Sequence, residues 1–80
     1  MAIVRLFASA REAAGRGRDD VPGRTVAEVL GAASERYGDR FVEVLSTCRI
    51  WVNGNVAEPS TSVGPADEVA VLPPVSGGAT

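Results

Sequence analysis

The chain has 80 residues, enough for one domain with a modest core, so we expect no deep, self-contained active site. Hydrophobic residues make up 45% of the chain and charged residues 22%, a composition typical of a globular protein and unlike that of a disordered one. The net charge of −2, with ten acidic residues, eight arginines and no lysine or histidine, argues against nucleic acid and membrane partners and excludes imidazole and lysine chemistry.

The N-terminal residues lack the long apolar centre of a signal peptide, and no apolar run reaches membrane-spanning length. We therefore expect a cytoplasmic protein. Cys48 is the only cysteine, so the chain can form neither an internal disulfide nor a multi-thiolate metal site. Because Cys48 lies in an apolar run with no histidine to activate it, we expect a buried structural thiol rather than a nucleophile, and no bound metal.

The first predicted element is a strand over residues 3–8. Its period of two places Val4 and Leu6 on one face and Phe7 on the other. Residues 9–14 are rich in helix formers and predict a short helix that Ser9 caps. A polar, glycine-rich segment follows, and its Pro22 cannot donate to a sheet ladder, so this segment predicts an edge strand at most.

The clearest helix begins at Thr25, which forms a capping box with Glu28, and ends at Gly38. Apolar residues recur along it at helical spacing: Val26, Val29, Leu30, Ala33 and Tyr37. The apolar residues 41–45 continue after the glycine and predict a second, short helical segment that packs on the same core.

Three strands are predicted in the C-terminal half. Residues 48–52 form the first, and Asn53-Gly54 is a tight-turn signal that leads into a short partner strand over residues 55–57. Residues 68–72 form the last strand. The order of elements predicts an α+β protein in which one main helix crosses one face of a mixed sheet and the first and last strands lie side by side. This is the β-grasp, or ubiquitin-like, plan.

The β-grasp domain is predicted to span residues 1–72. Residues 73–80 begin with two prolines and contain Gly77-Gly78, so they can neither continue a sheet nor pack as a helix. We expect a flexible tail, made of Pro73, Pro74, Val75, Ser76, Gly77, Gly78, Ala79 and Thr80. From Pro73 to Gly78 it can reach about 20 Å, which is long enough to enter the pocket of a neighbouring protein.

Three stretches together resemble the MoaD/ThiS family of sulfur carriers: residues 7–15, residues 52–54 and residues 67–78 with their Pro-Pro-Val-Ser-Gly-Gly end. The first stretch favours the branch of the molybdopterin synthase small subunit. The resemblance implies that a ubiquitin-activating-type enzyme uses ATP to adenylate the carboxylate of Gly78, and that a sulfur donor converts it into a thiocarboxylate. The synthase large subunit would then receive the tail and catalyse sulfur transfer to a pyranopterin, so the chain itself would be a non-catalytic carrier with no bound cofactor.

The sheet face away from the main helix is expected to carry an apolar patch for the partner subunit. If the alternate residues point inward, Phe7, Trp51 and Leu72 fall on this outward face. The alternative is that Phe7 and Trp51 complete the core, because small domains need every large side chain. Arg11 is either a partner contact or part of an ordinary solvated helix face.

Members of the family usually end at the second glycine, whereas this sequence continues with Ala79-Thr80. We expect a peptidase to remove these two residues; the alternatives are that they are tolerated or mark an inactive relative. Three other functions stay open: a sulfur carrier for thiamine, cysteine or a secondary metabolite, a ubiquitin-like protein modifier, and a binding module with an inert tail.

Overall fold

The structure is a computed structural model, and it describes residues 1–74. Its elements, in chain order, are β1 (Ala2–Leu6), α1 (Ala8–Ala14), β2 (Arg18–Val21), α2 (Val26–Tyr37), α3 (Asp39–Leu45), β3 (Arg49–Val52), β4 (Asn55–Val56) and β5 (Glu68–Leu72). Each strand and helix predicted from the sequence is present, with bounds that differ from the prediction by at most two residues.

The five strands form one mixed sheet in the order β2-β1-β5-β3-β4. The central pair, β1 and β5, is parallel, and the pairs β1–β2, β3–β5 and β3–β4 are antiparallel. The first and last strands are therefore neighbours, and β2 lies at an edge, where Pro22 can follow it without breaking a ladder. This confirms the predicted β-grasp fold.

One face of the sheet packs against the helices and forms the core. Strand residues that alternate along β1 and β5, Val4, Leu6, Val69 and Val71, are at most 2% exposed. The helices contribute the buried residues Ala10, Val26, Val29, Ala33 and Phe41. The period of two in the strands and the helical spacing in α2 thus meet in a single apolar cluster, as predicted.

The main helix is capped much as the sequence indicates. The Thr25 hydroxyl accepts a hydrogen bond from the Glu28 backbone N–H at 3.2 Å, and the Glu28 carboxylate accepts one from the Arg24 N–H at 2.9 Å. The carboxylate thus reaches one residue further back than a standard capping box requires. Just before this cap, Gly23 has φ +147°, and a Cβ there would lie 2.6 Å from the Val29 nitrogen. Only glycine fits this close approach of two backbones.

The predicted cap of the first helix is wrong. Helix α1 begins at Ala8, its N-cap is Phe7, and no side chain makes a capping hydrogen bond, so Ser9 lies inside the first turn. The reason is that β1 already ends at Leu6 and the Phe7 carbonyl accepts hydrogen bonds from the N–H groups of Ala10 and Arg11, at 3.0 and 3.3 Å. Gly15 ends the helix in a left-handed conformation, as the sequence predicts.

Candidate functional site

The sheet face that points away from the helices is the candidate site. Directly paired residues on neighbouring strands point to the same side of a sheet. The strand registers therefore align one row across the whole face: Arg18, Arg5, Ala70, Trp51 and Val56. Leu72 and Arg49 are paired in the next row towards the end of β5.

The predicted patch residue Trp51 belongs to this outward row. It is half-buried, and it lies outside the apolar cluster that packs against the helices, to which its neighbours Ile50 and Val52 belong. Leu72 is also half-buried and has the same outward orientation, since Val71 beside it is fully buried. Both residues therefore sit where the sequence places them, and their role in partner binding stays a prediction.

Phe7 extends the patch beyond the end of β1. Its side chain is among the exposed large hydrophobic groups, with 37% of its surface accessible. The Arg5 guanidinium lies 5.7 Å from the centre of the Phe7 ring, which puts the ring on the same side of the sheet as Arg5. The next residue, Ala8, has φ +49°, a conformation that costs a non-glycine residue about 1 kcal/mol and turns the chain sharply into α1.

The C-terminal tail leaves the domain at this edge of the patch. Because β1 and β5 are parallel and Leu6 is paired with Val71, the chain after Leu72 starts beside Phe7. Pro73 is half-buried and Pro74 is exposed. The other predicted tail residues, Val75, Ser76, Gly77 and Gly78, lie outside the described residues.

Arg11 projects from α1 and is exposed. A Cβ on Gly17 would lie 3.3 Å from the Arg11 Nε, so the guanidinium end of Arg11 rests against this glycine. The same side chain lines an open groove together with Arg5, Leu6, Phe7, Gly17 and Arg18. Arg11 was predicted as a partner contact from the sequence, whereas the arginines around it are brought together only by the fold.

The Asn53-Gly54 signal does more than make a turn. Both residues have positive φ, +51° and +84°, as a tight hairpin between β3 and β4 requires. The Asn53 side chain also donates to the Asp67 carboxylate at 2.9 Å and accepts from the Glu68 N–H at 2.9 Å, so it fixes the start of β5 to the hairpin. The hydrogen bonds from Asn53 and the Gly64 N–H hold the pKa of Asp67 below its usual value.

A polar cluster centred on Asp19 has no signature in the sequence pattern. The Asp19 carboxylate accepts hydrogen bonds from Arg36 and the Tyr37 hydroxyl, both at 2.7 Å, and pairs with Arg16 at 3.3 Å. Desolvation raises the pKa of Asp19, but the hydrogen bonds from Tyr37 and Arg36 outweigh it and the pKa is lowered. Burial and the bond to Asp19 raise the pKa of Tyr37 to about 12. The cluster ties edge strand β2 to the end of α2.

Cys48 has the surroundings of a structural thiol. It is half-buried beside the core, and its Sγ donates to the Val44 carbonyl at 3.2 Å. Burial raises the pKa of this thiol, which lowers the thiolate fraction at neutral pH. Within residues 1–74 no group of His, Cys, Asp and Glu side chains could hold a metal ion, and no helix in that range is long and apolar enough to cross a bilayer.

The fold and the order of its strands define a ubiquitin-like β-grasp protein. The sequence model of the ThiS family matches residues 4–78, and the chain belongs to the ThiS family. The family match covers both Gly77 and Gly78. No curated protein matches this sequence.

The solved structures that are similar over nearly the whole chain include two archaeal modifier proteins and a putative molybdopterin converting factor. SAMP1 from Haloferax volcanii is 31% identical, with a TM-score of 0.80 over 96% of this chain and 98% of its own. The small archaeal modifier protein 1 (SAMP1) from Methanosarcina acetivorans is 30% identical, with a TM-score of 0.86 over 96% and 95%. The putative molybdopterin converting factor, subunit 1, from Pyrococcus furiosus is 26% identical, with a TM-score of 0.79 over 92% and 97%. Small carriers of this ThiS/MoaD type are generally non-catalytic.

Proposed function

We propose that this chain is the sulfur carrier subunit of a molybdopterin synthase and carries sulfur as a thiocarboxylate on Gly78. The observation that carries the proposal is the match to the ThiS family, which runs past β5 and through Gly77-Gly78. The similarity to the molybdopterin converting factor of Pyrococcus furiosus supports the choice of pathway. In this role the chain presents its terminus to partner enzymes, and the partners supply the catalysis.

The chemistry has to occur on partners because a free carboxylate is a poor electrophile. An adenylating enzyme joins the Gly78 carboxylate to the AMP part of ATP and releases pyrophosphate. Sulfide then attacks the acyl carbon, AMP leaves with the electron pair of the broken C–O bond, and the product is the thiocarboxylate. The chain has no lysine or histidine and no Walker-type glycine loop with which to bind and activate ATP itself.

The outward face supplies the docking surface in this proposal. Phe7, Trp51 and Leu72 would contact the large subunit, and the tail that starts beside Phe7 would enter its active site. Two glycines have no Cβ and fit a narrow channel, while Pro73 and Pro74 favour an extended start of the tail. Arg11 lies next to this surface and would contact the same partner.

A free carboxylate on Gly78 requires removal of whatever follows it. With Ala79 and Thr80 in place, the Gly78 carbonyl is part of a peptide bond and is not a free carboxylate. The side chains of these residues would also crowd a channel shaped for glycine. We therefore propose that a peptidase trims the chain after Gly78.

Reconstitution with the cognate adenylating enzyme, ATP and sulfide tests both steps. We expect a chain that stops at Gly78 to gain the mass that follows from replacing one oxygen by sulfur. The full chain should stay unmodified unless it is cleaved, and Gly78→Ala in the shortened chain should react poorly. No thiocarboxylate on the shortened chain would contradict the carrier function, whereas an equal yield from uncleaved full chain would contradict only the trimming.

The pathway itself is tested by the acceptor. Thiocarboxylated carrier, mixed with the large synthase subunit and cyclic pyranopterin monophosphate, should yield molybdopterin. If the sulfur instead passes only to a thiazole, cysteine or secondary-metabolite precursor with the matching partner enzyme, the carrier function stands and the pathway is wrong.

A ubiquitin-like modifier is the second candidate, favoured by the 30–31% identity to the two SAMP1 proteins. Such a function would attach the carboxylate of Gly78 to amines of other proteins. The chain contains no lysine, so it could not build lysine-linked polymers of itself. Covalent conjugates that depend on Gly78, detected by mass spectrometry of proteins from the native cell, would support this candidate.

A further inference from the structure

An arginine-lined groove includes Phe7, the residue beside which the tail starts. It is formed by Arg5, Leu6, Phe7, Arg11, Gly17 and Arg18, it is open to solvent, and its volume is about 470 Å³. A second open hollow shares Arg11 with it and is also lined by Arg16 and Glu12. Four of the eight arginines of this acidic chain thus gather at one end of the sheet. We call the first of these hollows the arginine groove.

Two arginines of the groove are arranged unfavourably for the isolated fold. Arg5 and Arg18 are directly paired across β1 and β2, so two positive side chains leave the same face at neighbouring positions. Like charges in directly opposed positions destabilise a sheet. Glu68 lies 3.4 Å from Arg5, but both side chains are more than 40% exposed, so this ion pair offsets little of the repulsion.

Ion pairs involve only some of the arginines in the described chain. Arg36 and Arg16 both lie on the Asp19 carboxylate, at 2.7 and 3.3 Å. Arg11 and Arg18 have no ion-pair partner in the described chain, and neither do Arg24, Arg40 and Arg49 outside the groove. What distinguishes the groove is the direct opposition of Arg5 and Arg18, which is kept at a cost to folding. Residues that lower the stability of the fold without a structural benefit are typical of a binding surface.

We propose that the arginine groove binds a cluster of carboxylates on the adenylating enzyme that receives the tail, and this inference rests on the proposed function. The groove shares Phe7 with the apolar patch, and the tail starts beside Phe7, so a protein that binds the tail would cover both. Guanidinium groups bind carboxylates in a bidentate manner, and an exposed charged surface acts mainly by accelerating association.

A protein surface fits the groove better than a nucleic acid does. The next row of the same face carries the acidic residues Asp20 and Glu68, both aligned with Ile3. A polyanion that continued beyond the groove would meet these carboxylates, and the whole chain has a net charge of −2. A compact acidic cluster on a folded partner can engage the arginines and avoid the acidic row.

The experiment measures the association rate of the carrier, ending at Gly78, with its cognate adenylating enzyme at low and high salt. The test variant is the double change Arg11→Gln and Arg18→Gln. The matched control, Arg24→Gln with Arg40→Gln, removes the same charge from two exposed arginines outside the groove. We expect the test variant to associate about tenfold more slowly at low salt and the difference to vanish at high salt, while the control stays close to the parent.

The outcomes separate this inference from the proposed function. If the parent binds and the two variants behave alike, the arginine groove has no such role although the carrier function stands. If the parent does not bind the enzyme at all, the proposed function fails and the inference falls with it. Binding of a single-stranded oligonucleotide that the test variant alone loses would also overturn the inference. Because Arg18→Gln removes the repulsion from Arg5, it should raise the urea midpoint of the free carrier. Slower association of the test variant would then not be the result of a folding defect.

Discussion

The apolar patch gives the most specific test of partner docking through the change Phe7→Arg. Phe7 is 37% exposed in the free protein, and its contribution to α1 is a backbone carbonyl that any residue provides. The fold should lose the contact between Phe7 and Arg5, worth about 0.5–1 kcal/mol at an exposed site, and the new arginine adds repulsion from Arg5 in the same groove. A complex that buries this ring next to the tail should lose about 2–4 kcal/mol, which corresponds to a roughly 30- to 1,000-fold weaker affinity.

Isothermal titration against the molybdopterin synthase large subunit measures the affinity, and urea unfolding measures the stability of the free chain. Val42→Arg is the matched control, because Val42 is also an exposed large hydrophobic residue, 44% accessible, but lies on α3. Phe7→Ala removes the ring without adding charge and should weaken binding in the same direction. The patch interpretation is refuted if Phe7→Arg unfolds the free protein, or if it binds as well as the Val42 control.

Three further predictions concern the fold. Gly31→Ala should stabilise the protein by about 1 kcal/mol, because Gly31 is inside α2 with open space around it. Gly23→Ala should destabilise it by roughly 1–3 kcal/mol. If urea unfolding shows that both changes shift the free energy of unfolding in the same direction, this pair of predictions is wrong. Because the pKa of Asp19 is lowered in the fold, the unfolded chain takes up a proton first, so the stability from Asp19 is present above about pH 4 and lost as the pH falls. Asp19→Asn should therefore make the free energy of unfolding depend less steeply on pH in the acid range. An unchanged pH dependence would show that the Asp19 cluster does not stabilise the fold. Cys48 should react with a thiol reagent at least about tenfold more slowly in the native protein than in urea, and equal rates would show that burial does not protect it.

Local patterns in the sequence were sufficient to predict most of the fold. The capping residue Thr25, the glycine stop at Gly38 and the Asn53-Gly54 turn each act within a few residues of the chain, so their effect can be seen without tertiary structure. The first helix shows where this fails. Ser9 has the chemistry of a cap, but the actual start depends on where β1 stops pairing, which the neighbouring strands decide.

The site was predictable only in part for the same reason. The alternation of residues along each strand was enough to place Trp51 and Leu72 on the outward face. In the Asp19 cluster, Arg36 and Tyr37 bind a residue that lies 17 and 18 positions before them in the chain. The opposition of Arg5 to Arg18 depends on the register between two strands. Neither leaves a periodic signal in the sequence, because both arise from how separate elements meet.

The intact mass of the protein isolated from its native cell tests the central claim most directly. The account predicts a chain that ends at Gly78 and carries one sulfur in place of a carboxylate oxygen, at least in a fraction of the molecules. Treatment with an alkylating reagent should label that terminus and leave the folded Cys48 largely unmodified. A chain that retains residues after Gly78 and carries only an ordinary carboxylate, in cells that are making molybdopterin, would contradict the account.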